Sequence, residues 1–250
     1  MASIGDKSYG WRGRIGNISP TACTEIFPYE FYRVAPDGVT LVLSNLVIRD
    51  ARESSQVEAS WQGFDDAIAS LGETQVDHIT LSGAPMVLAK GVARYRELLA
   101  WLRQQSNVQA TTSPQAFADG LKYLGATKLA VATSFILAHN QLVKEFLMAE
   151  GFDVVAIEGL DTGMTSIEKA MLSPQRVFQH VRDVGLRHPD SDAILITSSA
   201  WPTLEVIQPL EDALGKPVVS SAVGQIWAPF HDLGIKADIR DYGKLLRSLA

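Results

Sequence analysis

The segment Asp77-His-Ile-Thr-Leu-Ser-Gly-Ala-Pro85 is echoed by Asp192-Ala-Ile-Leu-Ile-Thr-Ser-Ser-Ala200, an offset of 115 residues from Asp77 to Asp192. Thr111-Thr112, leading through a helical stretch to Leu124-Gly125, is matched by Ser220-Ser221 leading to Leu233-Gly234, an offset of 109 from Thr111 to Ser220. The run that opens at Arg14 has its counterpart at Lys128, an offset of 114. Matched segments in the same order predict two similar lobes, because a solenoid would need more copies. Chance similarity between βα units is the competing explanation, and the shared order weighs against it.

Within each half, short runs rich in Val, Ile, Leu and Thr alternate with longer stretches of helical period, the pattern of βα units around a buried, mostly parallel sheet. The predicted strands are Arg14 to Ser19, broken by Pro20, then Val39 to Leu43, His78 to Leu81, Val108 to Thr111, Lys128 to Ala132, Asp153 to Ile157, Ala193 to Ile196 and Pro217 to Val219. The predicted helices are Ser54 to Leu71, Val92 to Gln105, Pro114 to Leu124, Asn140 to Glu150, Pro174 to Leu186, Thr203 to Ala213 and Gly224 to Leu233. Ser113-Pro114 and Ser173-Pro174 read as caps followed by proline at the first helical position. Gly125, Gly151 and Gly234 fall where helices should stop. The expected fold is therefore α/β, with two pseudo-symmetric lobes, each a mostly parallel sheet flanked by helices, and a ligand cleft between them. Residues 1–112 with 221–250 would form the first lobe and 113–220 the second.

Composition excludes several classes. A formal net charge of −6 speaks against a chain that grips nucleic acid or anionic lipid. One cysteine cannot close an intramolecular disulfide, and five scattered histidines have no metal-ligand spacing, so no metal and no disulfide scaffold are expected. The amino terminus lacks a signal-like apolar core and no stretch approaches a membrane span, which predicts a cytoplasmic protein.

In parallel α/β sheets, ligands bind beyond the carboxyl ends of the strands, where helix starts offer unbonded N–H groups. The segments predicted there are rich in hydroxyls: Thr21, Thr24, Ser82, Thr111, Thr112, Ser113, Thr133, Ser134, Thr197, Ser198, Ser199, Ser220 and Ser221. Hydroxyls and helix N-termini suit a carboxylate, or the enediolate left when a carboxylate loses a proton or carbon dioxide at its α-carbon. Any one of them could equally be an ordinary helix cap.

The runs RGRIGNISPT with Glu25, VDHITLSGAPMVLAKG, TTSPQAFADGLKYLGATKLAVATSF with Asn140, and DAILITSSAWPTLEVIQPLEDALGKPVVSSAVGQIW give the chain a resemblance to the aspartate/glutamate racemase superfamily. Within it, the sequence is similar to the arylmalonate decarboxylase and maleate cis-trans isomerase group. That resemblance implies no organic cofactor, a small carboxylate substrate in the interlobe cleft, and a homo-oligomer. Members carry one or two catalytic thiols, one after the second strand of each lobe; those positions fall at Gly83 and Ser198 here, so both thiols are absent. A serine hydroxyl is a far poorer acid than a thiol, which casts doubt on two-base racemisation and thiol-mediated isomerisation. Decarboxylation is less affected, because its difficult step is the expulsion of carbon dioxide beside a hydroxyl-lined hole.

The expected activity is thus that of a cofactor-independent lyase acting on a malonate-like or β-activated carboxylate. A maleate-type isomerase and a non-catalytic carboxylate-binding protein are the alternatives. Gly83, Ala84, Ser198 and Ser199 would serve the enediolate, and Thr111, Thr112, Thr133, Ser134, Ser220 and Ser221 the retained carboxylate. Thr21, Pro85, Phe135, Asn140 and Trp201 would line the pocket, Phe135 standing where the decarboxylases have a tyrosine. Cys23, in the loop after the first strand, is either a relocated proton donor or a small apolar filler. Glu25 is either an acid–base group or a carboxylate held by a helix dipole.

Overall fold

The computed structural model describes residues 6–21, 23–48, 53–160, 163–198 and 200–250, with only the backbone of Thr21, Val47 and Ser54. Its strands are β1 Gly13–Thr21, β2 Val39–Ile48, β3 His78–Leu81, β4 Gln109–Thr112, β5 Lys128–Thr133, β6 Asp153–Gly159, β7 Ala193–Thr197 and β8 Val218–Ser220. They form two four-stranded sheets with the same order, β2-β1-β3-β4 and β6-β5-β7-β8, and every pairing is parallel. The two-lobed α/β architecture read from the repeat is therefore present. The central strands are apolar on both faces, as a sheet covered by helices requires: Ala193–Thr197 is buried throughout.

Some boundaries differ for local physical reasons. Strand β1 does not end before Pro20; it continues to Thr21 across a register shift between Ser19 and Thr21. Proline donates no ladder bond and is tolerated at such an irregularity. Thr112, rather than Ser113, caps helix Ser113–Tyr123, its Oγ1 accepting the Gln115 amide at 3.3 Å and Pro114 falling one position later. Ser173 does cap helix Pro174–Arg187. The predicted helix from Ser54 to Leu71 is two helices, Ser54–Ser60 and Phe64–Glu73, separated by a 3₁₀ turn over Trp61–Gly63. Helix Ile26–Val34 follows the Glu25 start that the sequence suggested without bounds, and helices Ala84–Leu88, Ser166–Ala170 and Lys244–Arg247 are additional to those predicted.

The long helix Ser221–Asp232 is central to the assembly. All of Ser221 to Phe230 is buried, and it runs against helix Ser113–Tyr123, its pseudo-symmetric counterpart. A Cβ on Gly224 would lie 2.9 Å from the Phe117 backbone nitrogen, so the close crossing of the two helices depends on that glycine. No helix among the described residues is long and apolar enough to cross a membrane.

Candidate active site

A buried chain of hydrogen bonds joins strand ends of the two sheets. Asn17 on β1 donates from Nδ2 to Thr80 Oγ1 at 2.7 Å and to Ser82 Oγ at 3.0 Å. Ser82 donates to Gln225 Oε1 at 2.6 Å, and Gln225 Nε2 donates to the Ser221 carbonyl at 3.1 Å. Ser221 Oγ in turn donates to Thr197 Oγ1 at 3.3 Å, at the end of β7. Every side chain in this chain is buried, so each bond forgone would leave a desolvated polar group. The sequence analysis does not single out Asn17 or Gln225; the available signal was an amide between apolar neighbours, Gly16 and Ile18 for Asn17 and Gly224 and Ile226 for Gln225.

On the second lobe, Ser134 follows β5 and Ser198 follows β7. Ser134 Oγ donates to Ser198 Oγ at 2.9 Å, and both side chains are buried. A hydroxyl that accepts one bond keeps its own O–H to give, and the accepted bond polarises it. Thr133 is committed elsewhere: its Oγ1 donates to Asn140 Oδ1 at 2.7 Å and accepts the Phe135 amide at 3.1 Å, which fixes the turn entering helix Leu137–Ala149. Phe135 is buried, its ring edge-on to His139 with centroids 6.2 Å apart.

The first lobe presents backbone at the equivalent place. Gly83 has φ of 87°, and a Cβ there would lie 2.4 Å from Pro20 Cγ. A side chain at this position is therefore opposed both by conformation and by the packing of Pro20. Ala84 and Pro85 open the short buried helix Ala84–Leu88. Thr112 Oγ1 meets the Tyr95 hydroxyl at 3.0 Å, and Thr111 donates to the Thr112 carbonyl at 3.4 Å. Ser220 Oγ caps its helix by accepting the Val223 amide at 3.1 Å and takes a bond from Thr203 Oγ1 at 2.9 Å. Trp201 is buried against His180; its indole nitrogen and the Ser113 hydroxyl are buried polar atoms with no hydrogen-bond partner among the described residues. Ser199 and the Thr21 side chain, both expected in the site, lie outside the described residues.

Cys23 is buried and borders a small enclosed cavity of about 20 Å³ with Asn17, Ser82 and Gln225. Burial, and then the charge of Glu25, push its thiol pKa above the ordinary value. That is opposite to the acidified thiol of a relocated donor. Glu25 itself occupies the N-cap position of helix Ile26–Val34 without a side-chain capping bond.

Glu30, on that same helix, is a third residue the sequence did not single out. Its carboxylate is buried and accepts the amides of Thr203, at 2.5 Å, and Leu204, at 2.7 Å, so it caps helix Leu204–Leu214 from the other lobe. Burial pushes its pKa up to about 7, against the Leu204 and Thr203 bonds, which favour the ionised form; nearby Glu205 adds to the rise.

Two parallel-sheet lobes meeting at strand ends that carry hydroxyls and helix starts form an α/β scaffold whose helix N-termini can receive an anion, and among the described residues no cluster of His, Cys, Asp or Glu could hold a metal ion. The family model for arylmalonate decarboxylase matches residues 15–246, and the chain belongs to that family. It is 30% identical to the arylmalonate decarboxylase of Bordetella bronchiseptica over 250 residues, covering 92% of this chain and 95% of that protein. It is also 25% identical to the maleate isomerase of Alcaligenes faecalis over 188 residues, 73% of each chain. Among solved structures, a liganded double variant of arylmalonate decarboxylase superposes with a TM-score of 0.85 at 26% identity, covering 93% of this chain and 98% of that one. The resemblance drawn from the strand-end motifs is thus borne out over nearly the whole chain.

Proposed function

We propose that the protein is a cofactor-independent lyase that removes carbon dioxide from a small malonate-like or otherwise β-activated carboxylate. The observation that carries this reading is the buried Ser134–Ser198 hydroxyl pair, 2.9 Å apart, at the ends of the two central strands of the second lobe. In the reaction, the bond between the α-carbon and the departing carboxylate carbon breaks and carbon dioxide leaves. The electron pair stays behind as an enediolate on the retained carboxylate. The α-carbon then takes the Ser198 proton, Ser134 passes its own proton to Ser198, and solvent restores Ser134. Backbone N–H groups at Gly83 and Ala84 and the Ser199 hydroxyl stabilise the developing charge.

Thr112, Thr133, Ser220 and Ser221 spend their hydroxyls on the protein, so in this reading they fix the helix starts and the N–H groups offered to the retained carboxylate. Thr111, Asn140, Pro85, Phe135, Trp201 and Thr21 complete the pocket. An isomerase working through a thiol adduct is disfavoured by the raised pKa of Cys23, which keeps that thiol protonated near neutral pH. The cleft lies between a lobe of residues 1–112 with 221–250 and a lobe of 113–220. The protein works in the cytoplasm as a homo-oligomer, a state that light scattering on the purified protein would establish or reject.

The test is incubation with phenylmalonate, alkylmalonates and maleate in deuterium oxide, following carbon dioxide release and deuterium incorporation at the α-carbon. Release of carbon dioxide with one deuterium per product supports the lyase. Conversion of maleate to fumarate without carbon dioxide would instead identify an isomerase. Tight binding with neither outcome would leave only a carboxylate-binding protein.

A further inference from the structure

We propose that Glu30 is the positioning residue that clamps the Ser198 loop of the second lobe onto the first lobe. Ser198, at the end of β7, is held by the Ser134–Ser198 bond. Thr203 and Leu204, at the start of the next helix, are held by Glu30, whose Oε1 accepts both their amides across 173 and 174 positions of sequence. Thr203 sits at the N-cap of helix Leu204–Leu214 but makes no capping bond with its own side chain; its Oγ1 lies 2.9 Å from Ser220 Oγ and 3.4 Å from Glu30 Oε2 as a donor to either. The helix N-terminus therefore depends on a carboxylate supplied by the other lobe. Glu30 also stands on the helix that begins directly after the Cys23 loop, so one side chain registers the first-lobe loop against the second-lobe loop that bears Ser198. This role rests on the proposed function only in that Ser198 is taken as the reacting group.

The surroundings of Glu30 contain no cation committed to it among the described residues. Arg33, on its own helix, pairs with Glu205 at 2.9 Å and with the Tyr29 and Tyr242 hydroxyls. Glu25 lies at the start of that helix, and Glu205, on the helix that Glu30 caps, raises its pKa further. On helix Ser221–Asp232, which also packs against it, Asp232 is engaged with His78 at 3.1 Å and His231 is stacked on Trp227.

The sign of the pH response follows from linkage. The closed clamp holds its proton up to about pH 7, whereas an opened, hydrated Glu30 returns toward 4.5. Protonation therefore favours closure. The open fraction rises by up to about tenfold per pH unit between those values and levels off above the higher one.

Amide exchange at Thr203 and Leu204 in the full-length protein, corrected for intrinsic rates and measured from pH 5 to 8, tests the proposal without any substrate. In the wild type, protection at these two amides falls as pH rises to about 7 and then flattens. Glu30→Gln, which keeps an acceptor oxygen and cannot ionise, should hold protection high and remove the pH dependence. Glu30→Ala should raise exchange at both amides at least about tenfold at every pH. With phenylmalonate as probe, Glu30→Gln should retain turnover and Glu30→Ala should lose kcat more than KM.

PH-independent protection in the wild type, or protection in Glu30→Gln that still follows the wild-type pH curve, would overturn the proposal. So would unchanged exchange in Glu30→Ala; if Glu30→Ala does not fold, the Gln comparison decides alone. Absence of turnover in the wild type would remove the lyase reading and leave the exchange result standing.

Discussion

In the first lobe the Arg14 amide donates to Asp77 Oδ2 at 2.8 Å and the Asp77 amide donates back to the Arg14 carbonyl at 2.8 Å. In the second lobe Lys128 and Asp192 repeat both bonds, at 2.9 and 2.8 Å. The caps repeat as well, Thr112 holding Gln115 and Ser220 holding Val223. At the carboxyl ends of β3 and β7 the likeness stops. The first lobe offers Gly83, a left-handed backbone turn packed on Pro20, while the second offers Ser198 paired with Ser134. The two lobes share these structural bonds and differ where the reacting groups would stand. Chemistry placed on one lobe delivers its proton to one face of an enediolate, so a malonate with two different carbon substituents on its α-carbon should give a single enantiomer. A second donor on the opposite lobe would scramble it.

The sharpest way to break this asymmetry is Ser198→Ala. If the second lobe supplies the proton, kcat for decarboxylation of 2-methyl-2-phenylmalonate, whose product 2-phenylpropionate is chiral, should fall by roughly 10²–10⁴-fold with KM little changed, the usual contribution of a positioned proton donor. Ser134→Ala should cost less, because Ser198 keeps its own hydroxyl. Chiral chromatography of the residual product adds a second measurement: loss of enantiomeric purity alongside loss of rate places the donor at Ser198. Rate and purity both unchanged would remove Ser198 from the reaction.

Next in size are two changes that act on stability. Gln225→Ala breaks the link between Ser82 and Ser221 and leaves buried polar atoms unpaired, a loss of about 1–3 kcal/mol in urea unfolding. Gly83→Ala forces a side chain into left-handed backbone and against Pro20, again about 1–3 kcal/mol. Gly91 is the control, since it has φ of 81° but nothing within 4 Å of an added Cβ. Gly91→Ala should therefore cost only the conformational share, about 1 kcal/mol. If the two glycine variants unfold alike, the contact with Pro20 plays no part in excluding a side chain from the first lobe.

The sheet was legible in the sequence because buried parallel strands are short apolar runs and because the two halves repeat one another. The bounds predicted for His78–Leu81, a run rich in Ile, Thr and Leu that ends in the small polar Ser82, match the strand, and Asp77 with Asp192 mark the repeat shared by both sheets. The extent of helix Ile26–Val34 was not legible, although a helix start near Glu25 was, because Pro28 and the crowded aromatics interrupt a helical pattern. Glu30 was not legible either: a carboxylate in a surface-length helix reads as solvated, and its partners lie at Thr203 and Leu204 in the other lobe. The hydroxyls at the strand ends were visible as a cluster, but which of them were already spent was not. Thr133 and Asn140 bond each other, and only the folded chain brings Ser134 to Ser198.

The smallest expected effect belongs to the one thiol. Cys23 stands in the first lobe, and if it were the proton donor the asymmetry would reverse. Its burial and the neighbouring Glu25 charge both raise its pKa, so the thiolate is scarce at neutral pH and modification by iodoacetamide should be slow, accelerating only well into the alkaline range. Cys23→Ala removes one buried sulfur beside a cavity of about 20 Å³, and a small truncation of this kind costs about 1 kcal/mol of stability. Turnover should stay within about twofold, since displacing a group outside the reacting set perturbs geometry rather than proton transfer. Cys23→Ser separates the two roles further. A serine preserves a hydroxyl donor but places a more polar group in the same enclosed corner, so it should destabilise more than alanine while leaving the pH profile in place. A pH profile that moves with either substitution would assign the proton to the first lobe and make Ser198 the spectator.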